Sequence, residues 1–328
     1  MLVLLFRAVT TADLDRFLDE SGLGVSSLTP LAGDLSQRRY FRIVLEDGAR
    51  LLAAYYPENL RPAMTRFAAA RSLLAGAGVR VPEIRQWSAG RGWMLVEDLG
   101  PETLFECDLP PERRTALYLA AVESADKIAG LDARDVERLG SPALDGLALR
   151  RELESTVEFL LDPAGLAQLP RGRRELLAAL DELCDRLGGG PLVPCHRDYM
   201  ARNLVPLAEA VAVIDFQDLR LGPPAYDLAS LLNDSFFPEG ALEEVLLPPR
   251  WRAPEAREQY SRAVVQRALK AGGTFARFAA QGNPRHLPLI APTLARAVPH
   301  LEILPETAPV FAGLRDWWTS KLARGVIC

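Results

Sequence analysis

Lysine is nearly missing from this chain of 328 residues: Lys127, Lys270 and Lys321 stand against thirty-five arginines. That lopsidedness, with its richness in Ala, Leu, Pro and Gly, is consistent with GC-rich coding. The net charge is −5, which argues against general nucleic-acid binding. The four cysteines, Cys107, Cys184, Cys195 and Cys328, include no Cys-x-x-Cys pair, and there are three histidines, so neither a zinc site nor a disulfide framework is expected. Long apolar runs are missing too. The opening Met1-Leu2-Val3-Leu4-Leu5-Phe6 is followed rather than preceded by Arg7, a poor signal peptide and far too short to span a bilayer. The expectation is a cytoplasmic monomer without membrane or nucleic-acid partners.

What is present is an ordinary globular composition, 49% hydrophobic and 25% charged, organised around one stretch, Pro194-Cys195-His196-Arg197-Asp198-Tyr199-Met200-Ala201-Arg202-Asn203. An apolar strand follows and ends in Val213-Ile214-Asp215-Phe216. His-Arg-Asp with Asn five residues after the Asp, then a second Asp at a strand end, is the catalytic loop and metal-binding Asp of kinase-type phosphotransferases. The chemistry explains the spacing. Asp198 can orient an acceptor hydroxyl and take its proton, while Asn203 and Asp215 supply oxygens to a Mg²⁺ that bridges phosphates.

The run Val213–Asp218 followed by Gly222-Pro223-Pro224-Ala225-Tyr226-Asp227-Leu228-Ala229-Ser230-Leu231-Leu232 resembles the aminoglycoside-phosphotransferase-like kinases. Within them it looks most like the anomeric kinases of N-acetylmuramate and N-acetylglucosamine. The resemblance implies an α+β, bilobal protein-kinase-like fold, with a small antiparallel sheet lobe over 1–98 and a larger helical lobe over 99–328. It implies ATP and Mg²⁺ as cofactors and an amino sugar as acceptor, in cell-wall peptidoglycan recycling. It makes Asp227 a buried support of the catalytic loop. His196 reads as a loop strut, because Asp198 already fills the base position.

Along the chain, Thr10-Thr11-Ala12-Asp13 opens a helix to about Gly22. The alternation Phe41, Ile43, Leu45 predicts a half-buried strand, and Glu46-Asp47-Gly48-Ala49 a hairpin turn before a second strand, Leu51–Tyr56. The preceding Gly33-Asp34-Leu35-Ser36 resembles the phosphate-covering turn of amino-sugar kinases, which makes Ser36 a nucleotide candidate; an ordinary surface turn is the alternative. Kinases usually place a lysine on the strand matching Leu51–Tyr56, and this chain has none before Lys127. One of Arg38, Arg39 and Arg42 is therefore expected to neutralise the phosphates, unless these line a solvated strand edge. The helix begun at Pro62, with Met64, Phe67, Arg71 and Leu74, has no central Glu, as fits the missing lysine. Strands follow over Val79–Trp87 and Trp93–Val96. The stretch Trp93–Gly100 looks like the hinge that bonds adenine in the family, with Met94, Glu97 and Leu99 as candidates.

Helices are expected over 112–129, 148–161 and 173–187. The stretch Val265–Arg277 resembles one specific to the amino-sugar kinases, although an expected His appears as Ala268. From Arg250 to Cys328 the charge sums to +7, so the remainder carries −12. A basic acceptor wall suits a carboxylate-bearing sugar better than a polycation. Arg202, Asn233, Asp234, Arg267 and Lys270 are the candidate wall residues. Another hydroxyl acceptor (an aminoglycoside or choline-like alcohol) and a non-catalytic nucleotide-binding regulator remain the alternatives.

Overall fold

The computed structural model describes residues 13–31, 38–165, 172–234, 240–310 and 312–315. The chain divides into two units, Met1–Pro101 with Ala212–Gln217, and Glu102–Val211 with Asp218–Cys328. The first runs three residues past the boundary expected at 98, and it takes back a short segment from far along the chain. Two contacts fasten that segment: the Val213 N–H donates to the Arg80 carbonyl at 2.8 Å, and Phe216 stacks on Phe67 with ring centroids 4.7 Å apart.

The first unit is built on five antiparallel strands: β1 (Val25–Pro30), β2 (Arg39–Leu45), β3 (Arg50–Tyr55), β4 (Ile84–Ser88) and β5 (Trp93–Glu97), in the spatial order β1-β2-β3-β5-β4. Register sets Phe41 opposite Ala53 and Ala53 opposite Leu95, so successive strands add to one apolar row. The period-2 pattern therefore buries Phe41, Ile43 and Leu45 on one face, where helix α1 (13–20) covers them with Leu14, Phe17 and Leu18. The opposite face carries Ala54, Tyr56 and Met94 and receives Met64 of helix α2 (Pro62–Gly76). Each large apolar side chain so enclosed contributes about 1.5–3 kcal/mol. The expected hairpin forms, with Gly48 at φ +84° and the Ala49 N–H donating to Asp47 Oδ1 at 2.9 Å. The strand expected over 79–87 begins only at Ile84. Val79 and Val81 are buried as their alternation requires, but the backbone there pairs with the returning segment rather than with the sheet.

In the second unit come α3 (Pro111–Ala129), α4 (Ala133–Glu137), α5 (Gly146–Glu152), α6 (Glu154–Thr156), α7 (Gly172–Gly188), α8 (Tyr226–Leu232), α9 (Gly240–Leu246), α10 (Pro254–Ala280) and α11 (Ile290–Glu302). Short strands interrupt them: β6 (Val193–Cys195) pairs antiparallel with β9 (Arg220–Gly222), and β7 (Leu204–Pro206) leads into a turn closed by the Leu207 N–H on the Ala210 carbonyl at 2.8 Å, after which β8 (Val211–Val213) carries the chain into the segment counted with the first unit. The single helix expected over 148–161 is broken. It stops at Leu153 and, after α6, widens into a π turn over Val157–Leu161, where the Asp162 N–H reaches back to the Val157 carbonyl. The cause is tertiary. Helix α10 presses on this segment at Gly273, where a Cβ would stand 2.5 Å from Thr156 Oγ1, and Thr156 Oγ1 donates to the Leu269 carbonyl at 2.9 Å. That close crossing sets the α10 side chains preceding Gly273 against the end of α5. Among the described residues no helix is long and apolar enough to cross a membrane, and Cys107, Cys184 and Cys195 are unpaired. The antiparallel sheet and mainly helical remainder are the α+β fold expected.

Candidate active site

The motif is shared between the units: Asp198 and Asn203 belong to the second, Asp215 to the first. Only two non-glycine residues among those described have positive φ, Arg197 at +77° and Asp215 at +61°, and both lie in it. Such backbone costs about 1–3 kcal/mol and persists only where its surroundings hold it.

Arg197 is held from every side. Its N–H donates to Asp227 Oδ1 at 2.9 Å while the His196 N–H donates to Asp227 Oδ2 at 2.6 Å, so one buried carboxylate clamps two successive amides. Its carbonyl accepts from Arg267 Nη1 at 2.7 Å, and its guanidinium meets Glu152 Oε1 at 2.9 Å and Asp218 Oδ2 at 3.3 Å. Tyr199, wholly buried, donates its hydroxyl to the Ala121 carbonyl of α3 at 2.8 Å, and the buried His196 ring packs edge-on against it. The loop is thus fixed on both sides of Asp198.

The Asp198 side chain is 34% exposed. Lys270 Nζ stands 3.6 Å from its Oδ1 and Arg197 Nη1 4.0 Å from its Oδ2. Burial by itself would push this carboxyl up, but Lys270, Arg267, Arg197 and His196 pull it down to about 2. Asn203 Nδ2 donates to the Asp198 carbonyl at 2.8 Å, which commits the amide nitrogen and turns the side-chain oxygen the other way.

Glu152, at the end of α5, had no signal in the sequence, where it lay inside an apparently regular helix. It is a hub of this half of the motif. Its Oε1 takes Arg197 and lies 3.5 Å from Lys270 Nζ, while its Oε2 accepts from the Tyr226 hydroxyl at 3.2 Å. Burial raises its pKa, and the facing Lys270, Arg197 and Gln266 reverse this to a net lowering. Of the expected acceptor-wall residues, Lys270 faces Asp198, whereas Arg267 is a strut: half-buried, it holds the Arg197 carbonyl and lies over the Tyr226 ring at 5.0 Å. Asn233 is also drawn inward. Its amide donates to the Tyr260 hydroxyl at 2.8 Å and to Glu243 at 3.2 Å, which anchors α9. Asp234 acts electrostatically on Arg267 and Arg296, and Arg202 lies over the Phe105 ring at 4.7 Å.

In the first unit, Asp215 Oδ1 accepts from Gln217 Nε2 at 2.7 Å. Arg38 lies over the Tyr40 and Tyr56 rings; burial works against its charge, yet Tyr40, Tyr56 and Asp215 keep it more firmly protonated than usual. Arg42 has a different task from the one expected. It forks onto Asp98, whose side chain is wholly buried, with contacts of 2.6 and 3.2 Å. Arg39 opens β2 opposite Tyr55. Met94 is core, 1% exposed beneath α2. At the expected hinge, the Glu97 side chain pairs with Arg80 and its N–H donates to the Glu83 carbonyl at 2.8 Å, while Leu99 is half-buried. Ser36 and its turn, the residues Thr10 to Ala12 of the expected helix start, and Cys328 lie outside the described residues.

Among the described residues no three His, Cys, Asp or Glu side chains form a metal site by themselves. A carboxylate such as Asp215 and an amide oxygen such as that of Asn203 are each of the hard-oxygen kind that Mg²⁺ takes, one or two at a time, beside water and phosphate oxygens. The sequence profile of the phosphotransferase enzyme family matches residues 27–263. The chain belongs to that family. This phosphotransferase is 34% identical over 282 residues to the N-acetylmuramate/N-acetylglucosamine kinase of Pseudomonas aeruginosa, covering 80% of each chain. It is 33% identical over 279 residues to the protein of the same name from Pseudomonas putida, covering 80% of this chain and 79% of the other. Among solved structures, the GDP complex of aminoglycoside 2′-phosphotransferase-IIIa superposes with TM-score 0.63 at 16% identity, covering 89% of this chain and 97% of that one. A choline/ethanolamine kinase family protein from Mesorhizobium loti gives 0.57 at 20% identity, covering 89% and 93%. These likenesses establish the protein-kinase-like fold of the phosphotransferase.

Proposed function

We propose that this phosphotransferase uses ATP and Mg²⁺ to phosphorylate the anomeric hydroxyl of N-acetylmuramate and N-acetylglucosamine, a step of peptidoglycan recycling. The observation that carries the reading is the setting of Asp198, with Lys270 Nζ 3.6 Å and Arg197 Nη1 4.0 Å from its carboxylate. A carboxylate held at about 2 is always ionised at neutral pH but is a weak base. It suits an acceptor that needs orientation more than proton removal, and a hemiacetal hydroxyl is more acidic than an ordinary alcohol. The cations around Asp198 favour an anionic acceptor, such as one bearing a lactyl carboxylate, over a polycationic one. The relatives named as kinases of these two sugars, matched over 80% of the chain, support the same acceptor class.

Asp198 orients the hydroxyl and receives its proton late in the transfer. Asp215 and the Asn203 side-chain oxygen would hold the metal, which neutralises phosphate charge when bound. Arg38 supports the phosphates where other kinases use a lysine. Asp227 and His196 hold the loop. The test is transfer from ATP with Mg²⁺ to N-acetylmuramate, N-acetylglucosamine and kanamycin in parallel, read by phosphorus NMR. A sugar 1-phosphate is the expected product, and Asp198→Asn should abolish it with nucleotide binding retained. Product from kanamycin alone would overturn the acceptor assignment.

A further inference from the structure

Lys270 is one of three lysines in a chain that elsewhere uses arginine for its cations. Its position is unusual for a merely solubilising charge. The ammonium lies between two carboxylates, 3.6 Å from Asp198 Oδ1 and 3.5 Å from Glu152 Oε1, with the side chain only 19% exposed. The close passage of α10 at Gly273 fixes the helix that carries it, and Arg197, Tyr226 and Gln266 fix Glu152 from its other sides. Arg197 and Arg267, the other cations of the group, are tied to the loop backbone or to Asp218 and Glu152. An ammonium is a compact point charge that can follow a moving anion, whereas a guanidinium is a rigid fork.

Resting on the kinase reading above, we infer that Lys270 is a further catalytic residue, placed on the acceptor side, whose ammonium contacts the phosphoryl group in transit, and that Glu152 is its positioning residue. An acceptor oxygen hydrogen-bonded to Asp198 lies within reach of a group 3.6 Å from the same carboxylate, and so do the oxygens of the phosphorus it attacks. In the transfer, the acceptor oxygen bonds to the terminal phosphorus of the nucleoside triphosphate. The bond from that phosphorus to its bridging oxygen breaks, and the electron pair leaves with the nucleoside diphosphate. The hydroxyl proton passes to Asp198. While charge is spread over the phosphoryl oxygens the Lys270 ammonium turns to them, and the late passage of the proton to Asp198 then neutralises one of its two carboxylate neighbours.

The test measures wild type, Lys270→Met, Lys270→Gln, Lys270→Arg and Glu152→Gln, for transfer to the sugar and for slow nucleotide hydrolysis without acceptor, where water takes the hydroxyl's place. The two neutral variants are expected to lose about 100-fold in kcat, with nucleotide KM within about threefold. Lys270→Arg should recover about tenfold over them, and Glu152→Gln should lose about tenfold in kcat. The Lys270→Gln variant keeps a neutral N–H donor facing the carboxylates, so it provides the decision should the methionine variant fail to fold. A kcat within threefold of wild type in either folded neutral variant, or a loss confined to acceptor KM, overturns the proposal while leaving the kinase reading intact. If the wild type hydrolyses nucleotide but transfers to neither sugar, the acceptor assignment falls, and an equal loss of hydrolysis in the neutral variants still supports Lys270. No turnover of either kind in the wild type overturns both.

Discussion

Replacing Asp227 by Asn tests what holds the catalytic loop. The two carboxylate oxygens divide the work, Oδ2 accepting from the His196 N–H at 2.6 Å and Oδ1 from the Arg197 N–H at 2.9 Å. An asparagine has one such oxygen, and its NH₂ would face the second backbone donor. One charge-assisted bond is lost, about 1.5–3 kcal/mol, and one buried N–H is left without an acceptor, about 1–3 kcal/mol. Part of this is recovered because burial strains the charged carboxylate, raising its pKa against the opposing pull of His196 and the two amides. The net destabilisation should be about 2–4 kcal/mol, which lowers the thermal midpoint by about 3–6 °C in a chain of this size. The released amide is that of Arg197, whose φ of +77° needs external support, so Asp198 should shift and kcat fall by about 100-fold. The nucleotide KM should stay within about threefold, since Arg38 and Asp215 belong to the other unit. Circular-dichroism melting and steady-state kinetics on the same preparation decide it. A midpoint within about 1 °C of wild type with kcat within about twofold would refute the clamp.

Three further outcomes are expected. Arg38→Gln should raise the nucleotide KM with little loss of stability, whereas Arg42→Gln should leave that KM unchanged and cost about 3 kcal/mol in a denaturant titration, because the wholly buried Asp98 would lose its partner; the reverse pattern would exchange their roles. Burial alone would raise Glu243, but His300, Tyr260 and Asn233 bring it down from 4.5 to about 2. A folded-state pKa below the unfolded one gives stability that is present above pH 4.5 and is lost as pH falls toward 2, of order 3 kcal/mol in all; denaturant midpoints against pH should therefore slope less in Glu243→Gln. Finally, Gly273→Ala would set a Cβ 2.5 Å from Thr156 and force α10 away from the segment that follows α5. A loss of about 2 kcal/mol or more is expected, with kcat falling further than the folded fraction explains, because Lys270 rides on the same helix.

The sheet was legible because a strand seen from its sequence is a period-2 pattern, and Phe41, Ile43 and Leu45 show it without interruption. Helix α2 was legible at both ends, since Pro62 opens it and the glycines after Leu74 close it. The strand begun too early at Val79 failed for a physical reason: alternation reports burial, and Val79 and Val81 are buried although the backbone between them, at the Arg80 carbonyl, bonds the returning segment rather than a sheet neighbour. Among Arg38, Arg39 and Arg42, at and beside the start of β2, the sequence offered three candidates for the phosphates and could go no further. Asp98, fifty-six residues beyond Arg42, is what takes Arg42 out of consideration. Likewise nothing local marks Asn233 or Arg267 as struts, because their partners come from α9 and the catalytic loop.

By itself the sequence determined the reaction class and marked the residues proposed to face the reacting atoms, because a loop that must present a base and two metal oxygens admits few residue types at few spacings. Asp198, Asn203 and Asp215 are readable for that reason. Tertiary structure alone decided the electrostatic state of the base. Lys270, seventy-two residues from Asp198, and Glu152, forty-six residues before it, meet because a glycine lets α10 lie against the broken end of α5. Charge acts through distance in space, and no pattern along the chain encodes a distance of 3.6 Å between residues so far apart.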